Sequence, residues 1–272
     1  MHALALAARA GRSESEAEAV AAARALADVA RQPGGAAAMC DAGCVDELLN
    51  AVHGEHSGGL TQALVAAVSG QMRESAAAAL DALVECARRA PQCRGRIAGS
   101  GVLGLVSALL LSPRSGTGAR ALALRAVAAL AADDDAVAAA GSAERRGEFE
   151  ALRQQLVAAG SVGAAARAVG EPWDGESPLQ SAGSEEDESD GGDDEATHGQ
   201  AALCEAACHA VGVLACDARA REQLKEHEAA QRCLRQLPSP HAAAALASLA
   251  RSRAAGSALA TEAAIGRILQ VR

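Results

Sequence analysis

Leucine and valine recur along this chain at helical spacing. In the clearest stretch, beginning at Glu74, Leu80 and Leu83 share a face, Pro91 interrupts the run and Ile97 marks a short turn. Gly101 then precedes Val102, Leu105, Val106, Leu109 and Leu110. Apolar residues at i, i+3, i+4 and i+7 lie on one side of a 3.6-residue helix, so the stretch predicts two helices separated by a break. The same order occurs upstream in Leu26, Val29, Met39, Gly43, Val45, Leu48 and Leu49, where Ser13/Glu16 and Ser15/Glu18 have capping-box spacing. Downstream, Leu124, Val127 and Leu130 open a third copy that closes, after a long insert and the break Gly160-Ser161, with Val162 to Val169. Val211 and Leu214 open a fourth, with Leu224 in the turn and Cys233, Leu234 and Leu237 after it. Leu246 and Leu249 open a fifth, completed by Leu259, Ile265, Ile268 and Leu269. No segment alternates with a period of two, which predicts an all-α protein.

Composition restricts how such helices pack. The 272 residues are 50% hydrophobic but only 1% aromatic, with no Tyr and one Phe, so the core must be built from Ala, Leu and Val. Alanine favours helix and lets helices approach closely. A thin stack of short helices suits this composition better than a thick sandwich or barrel.

Degenerate copies of one helical unit resemble the armadillo-repeat family, whose units of about 40 residues contain two or three helices. The resemblance implies a right-handed α-solenoid of about five armadillo-type repeats, with HEAT repeats as the nearest alternative. Residues 14–170 hold the first three copies and 201–272 the last two, after an N-terminal extension at 1–13. Residues 171–200 are expected to form a disordered acidic linker. Glu171 to Glu195 contains eleven acids and no Lys or Arg, which turns the overall −9 into +2 on the remainder. Concentrated like charge with little hydrophobicity cannot offset the entropy of ordering. The apolar end Ile268 to Val271 lacks the polar face that closes a solenoid, consistent with a fragment or with docking on a partner.

Eight cysteines scattered over a long helical chain read as reduced thiols, which predicts an intracellular protein, cytoplasmic or nuclear, without organelle import. No stretch reaches the roughly 20 apolar residues of a membrane span. The longest charge-free candidate, between Arg96 and Arg114, contains Gly99, Gly101, Gly104 and Pro113.

Gly99-Ser-Gly101-Val-Leu-Gly104 has the letters of a dinucleotide fingerprint, but a helical run rather than a strand precedes it, so these glycines read as a break between helices. Cys40/Cys44 and Cys204/Cys208 have i, i+4 spacing and read as small packed side chains rather than metal ligands. His53 and His56 read as solvated loop residues. No triad context is present, so no cofactor, metal or catalytic residue is expected and the chain is read as a non-enzyme. Clustered cations and stacking aromatics are lacking, which argues against nucleic acid.

The resemblance implies that the last helix of each repeat lines a concave groove holding a protein partner. On that placement the candidate contacts are Asp46, Arg167, Arg232, Arg235 and Arg267, meeting acidic or amphipathic segments of other proteins. The family's Asn ladder is replaced by Asp28, Ala82, Ala129, Val213 and Ser248. Ser184, followed by Glu185, Glu186 and Asp187, is a candidate phosphorylation site in an acidic loop able to compete for the arginines. The expected function is a protein-interaction scaffold; the alternative is a subunit docked permanently in a larger assembly.

Overall fold

The computed structural model describes residues 2–13, 15–53, 59–70, 72–132, 143–170 and 193–250. Among these no strand occurs, and the chain forms an α-solenoid. Its helices are α1 (His2–Arg12), α2 (Glu16–Arg31), α3 (Gly35–Asp41), α4 (Cys44–His53), α5 (Gly59–Ser69), α6 (Glu74–Arg89), α7 (Arg94–Ile97) and α8 (Leu103–Leu111). They continue with α9 (Thr117–Ala131), α10 (Ala143–Ala158), α11 (Ser161–Ala168), α12 (Asp193–Leu214), α13 (Ala218–Glu226), α14 (Ala229–Arg235) and α15 (Pro240–Ala250).

Two layers result. The opening helices of the repeats, α2, α6, α9, α12 and α15, stack in chain order. The closing helices α4, α8, α11 and α14 make the second layer, with α1 packed beside α4 and α5 lying between α4 and α8. Their facing sides supply one continuous core in which Leu26, Leu80, Leu83, Leu124 and Leu214 alternate with alanines. Residues 1–13 were expected as an extension, but α1 belongs to the layer: its Ala7 and Ala10 are buried.

The junction before each closing helix recurs. Gly43, Gly101 and Gly160 all have left-handed φ there, and Glu228 takes the same conformation (φ 54°) before α14. A Cβ in this region crowds the following carbonyl, which is why glycine occupies three of these four junctions. The GxGxxG-like segment is one such break: no strand precedes it, and Gly101 (φ 92°) sits between α7 and α8. The apolar succession Pro91–Leu111 is consequently bent at Gly101 and packs into the core through Ile97, Val102, Leu105 and Leu109.

Arg94 ties successive opening helices together. Although only 1% exposed, its Nε donates to the Ala87 carbonyl at 2.8 Å and Nη1 to the Ala132 carbonyl at 2.6 Å. These carbonyls belong to the ends of α6 and α9, which helix geometry leaves without intrahelical donors. The guanidinium also lies 5.8 Å from the Phe149 ring centroid on α10. Arg153 of the same helix donates to the Ala131 carbonyl at 3.0 Å.

Several expectations change. The long insert before Gly160 contains α10, whose Leu152 and Leu156 are buried. Helix α12 begins at Asp193, inside the segment expected to remain acidic linker to residue 200; 171–192 lie outside the described residues. Cys40 and Cys93 are joined in a disulfide with a Cα–Cα distance of 6.5 Å, rather than remaining reduced, because α3 and the turn Pro91–Cys93 bring their thiols together. Cys86 keeps its proton, its thiol pushed up to about 12, chiefly by burial. His53 closes α4 half-buried, and burial lowers its pKa, so it is not a solvated loop residue; His56 lies outside the described residues.

Candidate protein-binding face

The side of the long-helix layer turned away from the core carries a polar stripe. Arg24, Asp28 and Arg31 are exposed on α2, Glu74 and Arg88 on α6, Arg125 on α9, and Glu205 and His209 on α12. Spacings of three and four place the residues of each helix along one face, and cross-helix pairs join the helices into one surface. Arg24 meets Glu74 at 2.8 Å, while Arg31 reaches Asp81 at 3.0 Å and Glu85 at 3.8 Å. From α9, Arg125 reaches the same carboxylates at 2.7 and 3.6 Å. Arg88 and Arg89 flank Glu85 at 2.7 and 3.7 Å.

Glu85 is the centre of this ladder: its side chain is 7% exposed, against 37–46% for its four arginines. Exposed pairs of this kind contribute about 0–1 kcal/mol each. A shielded carboxylate is different, because removing its guanidinium partners leaves a polar group that water does not compensate. Beyond α9, the His209 ring lies 5.4 Å from His241 of α15. Burial, then His241 and Arg88, lowers the His209 pKa, so the ring is neutral near pH 7. Arg88 contributes from α6.

No protein-family model matches the chain, and no curated protein matches it. Solved structures do. An engineered protein is 19% identical, with the match covering all of this chain and 89% of the other at a TM-score of 0.63. A designed armadillo repeat protein in complex with the peptide (KR)4 is 16% identical, covering 98% of this chain and 90% of its own, at 0.60. Computationally designed armadillo repeat proteins for modular peptide recognition give 16% identity, 98% and 91% coverage, and 0.59. The fold is the armadillo-type solenoid. At these identities the likeness establishes the architecture alone.

Within the armadillo-type solenoid, the residues singled out from the sequence belong to the closing-helix layer. Asp46 on α4 pairs with Arg96 of α7 at 2.7 Å. Arg167 is exposed on α11, and Arg232 is half-buried and Arg235 exposed on α14. Arg267 and Ser184 lie outside the described residues. The positions compared with the Asn ladder divide: Asp28 is exposed and pairs with Arg31 at 2.8 Å, but Ala82 and Ala129 are buried. Asp81, Glu85, Arg31, Arg88, Arg125 and His241 were missed. Their signal was polar residues at i, i+4 and i+7 on the opening helices, Arg24, Asp28 and Arg31 on α2 and Asp81, Glu85 and Arg88 on α6. Among the described residues no group of three or more His, Cys, Asp or Glu side chains has a metal-holding arrangement.

Proposed function

We propose that the chain is a non-enzymatic scaffold holding a protein partner along the polar stripe of its long helices. The observation that carries this reading is the ladder Arg31–Asp81/Glu85–Arg125, which orders charged groups of three helices on one face before any partner arrives. Donors and acceptors already fixed lose little entropy on binding. The likeness in fold to a designed protein solved with a peptide supports a peptide-like ligand without specifying its sequence. Arg167, Arg232, Arg235 and Arg267, with Asp46 toward the other end, form a proposed secondary contact on the closing helices. The acidic segment 171–192 would compete for these arginines, and phosphorylation at Ser184 would strengthen that competition.

Affinity capture from native lysate tests the main reading, comparing the intact chain with the R31E/R125E variant after circular dichroism shows equal helix content. Partners lost with the charge reversal support the long-helix stripe, and an unchanged set refutes it. Deleting residues 184–192 spares α12, and enrichment of the same partners would support competition by the loop. A single stoichiometric complex, with the isolated chain self-associating, would favour the alternative of a permanent subunit.

A further inference from the structure

The closing-helix layer carries a surface of opposite character. Helices α5 and α8 contain no charged residue. Val65 is 63% exposed, Val68 57% and Leu111 54%; among the described residues the other leucines and valines, Leu4 apart, are buried or half-buried. Between α5 and the α8–α9 turn lies a cleft of about 520 Å³ lined by Leu64, Val65, Val68, Ser69, Pro113 and Arg114. The repeat does not require this element: α5 is additional to the opening and closing helices and packs against α4 and α8 alone among the larger contacts.

The cleft is held in shape by polar bonds beneath its apolar walls. Buried Ser112 donates its hydroxyl to the Val68 carbonyl at 2.7 Å, and buried Ser115 donates to Ala67 at 3.4 Å. These serines satisfy carbonyls of the last turn of α5, which would otherwise lack donors. Gly70, with φ 75°, completes the clamp, because a Cβ at this position would collide with the Arg114 carbonyl. The walls are therefore preorganised, and a docking segment would not have to order them.

We infer that this cleft docks an amphipathic helix of a partner protein, with apolar side chains at i, i+3/i+4 spacing in the cleft and a carboxylate at Arg114. Helix-in-groove recognition uses this spacing, and exposed contiguous apolar surface of this kind marks interaction sites. Charge selects the occupant. Arg114 stands at the rim, and no carboxylate among the described residues pairs with it. A second copy meeting this patch through a two-fold axis would bring the same apolar, cationic surface with no anion to receive Arg114, because isologous interfaces must be self-complementary. A partner helix can bring the missing carboxylate.

The test uses the full chain and two fluorescein-labelled, hydrocarbon-stapled 15-residue helices. Each has leucine at positions 3, 6, 7 and 10, and they differ only in Glu or Lys at position 14. Fluorescence anisotropy titration should show the Glu peptide binding about fivefold more tightly than the Lys peptide, the scale of one partly exposed ion pair. R114E should invert that order, and V68D, at an exposed position that leaves the fold intact, should weaken both peptides by about tenfold or more. Equal affinity of the two peptides for the parent chain, or binding indifferent to V68D, overturns the proposal. So does sedimentation showing a concentration-dependent dimer that V68D abolishes and the Glu peptide does not displace, since the cleft would then serve a second copy.

Discussion

The two layers of this solenoid share a core but differ in how they face outward. The long helices are cross-linked by ions on their outer side, from Arg24–Glu74 to Arg31–Asp81–Arg125, and expose little beyond alanine and charge. The closing helices, widened by α5, leave Val65, Val68 and Leu111 in the open. Alanine explains the need for the first arrangement: it buries a small area per contact, so polar pairs on the stripe add to an interface that apolar packing alone makes thin. Where α5 separates α4 from α8, the described residues show the pair Asp46–Arg96 rather than a chain of shared carboxylates, and the apolar surface is available for another use.

Arg94 is the residue whose loss should disturb the opening-helix layer most. Arg94→Ala removes the donors to Ala87 and Ala132 and leaves a space beside Phe149. A loss of about 3 kcal/mol is expected from broken charged hydrogen bonds and the resulting cavity, measured by urea denaturation. A change below 0.5 kcal/mol would mean that α7 does not anchor α6 to α9. Next in size is a direct contrast between the layers. Glu85→Ala should cost about 2 kcal/mol, since four arginines then face one another without their shared carboxylate, whereas Val68→Asp at an exposed position should change stability by less than about 0.5 kcal/mol. Equal costs in thermal unfolding would remove the distinction drawn between a cross-linked and an open layer.

A stabilising change should follow at the recurring junction. Glu228 has the left-handed conformation that Gly43, Gly101 and Gly160 adopt without a side chain. Glu228→Gly is therefore expected to gain about 1 kcal/mol, the strain relieved exceeding the added freedom of the unfolded chain. A decrease in stability would show that the Glu228 side chain contributes more than its backbone strain costs.

These residues also show what was legible beforehand. Leu80, Leu83, Val102, Leu105 and Leu109 were assigned to a core by period alone, and each is buried. The breaks at Gly43, Gly101 and Gly160 were visible because a left-handed junction selects glycine, but Glu228 is invisible to that signal. Helices α5 and α10 were missed because they lie between the opening and closing helices that the repeat registers, so no second copy marks them. The candidate contacts were placed on the closing helices by family resemblance; the polar stripe on the opening helices is a separate surface, centred on Asp81 and Glu85, one turn apart. Ala82, beside Asp81 in sequence, is fully buried, so a one-residue difference in register moves a comparison from solvent to core. The pairing of Cys40 with Cys93 depends on how two repeats approach, which spacing within either repeat does not encode.

The smallest effect probes the N-terminal end of the cross-linked layer. Glu16 of α2 accepts the Ser75 backbone N–H of α6 at 2.8 Å, and this bond holds its carboxyl below the ordinary range, against the opposing effect of burial. A lowered folded pKa means that the unfolded state binds a proton more readily. The contribution is therefore present above the unfolded pKa, near the usual glutamate value, and is lost as pH falls through the folded one. Glu16→Gln keeps an acceptor but removes the charge, so it should cost only about 0.5 kcal/mol at pH 7, discounted for solvent exposure. The difference between parent and variant should shrink as unfolding is measured from pH 6 down to pH 3. A gap that stays constant over that range would show that the carboxyl's shape, not its charge, supports the first contact between α2 and α6.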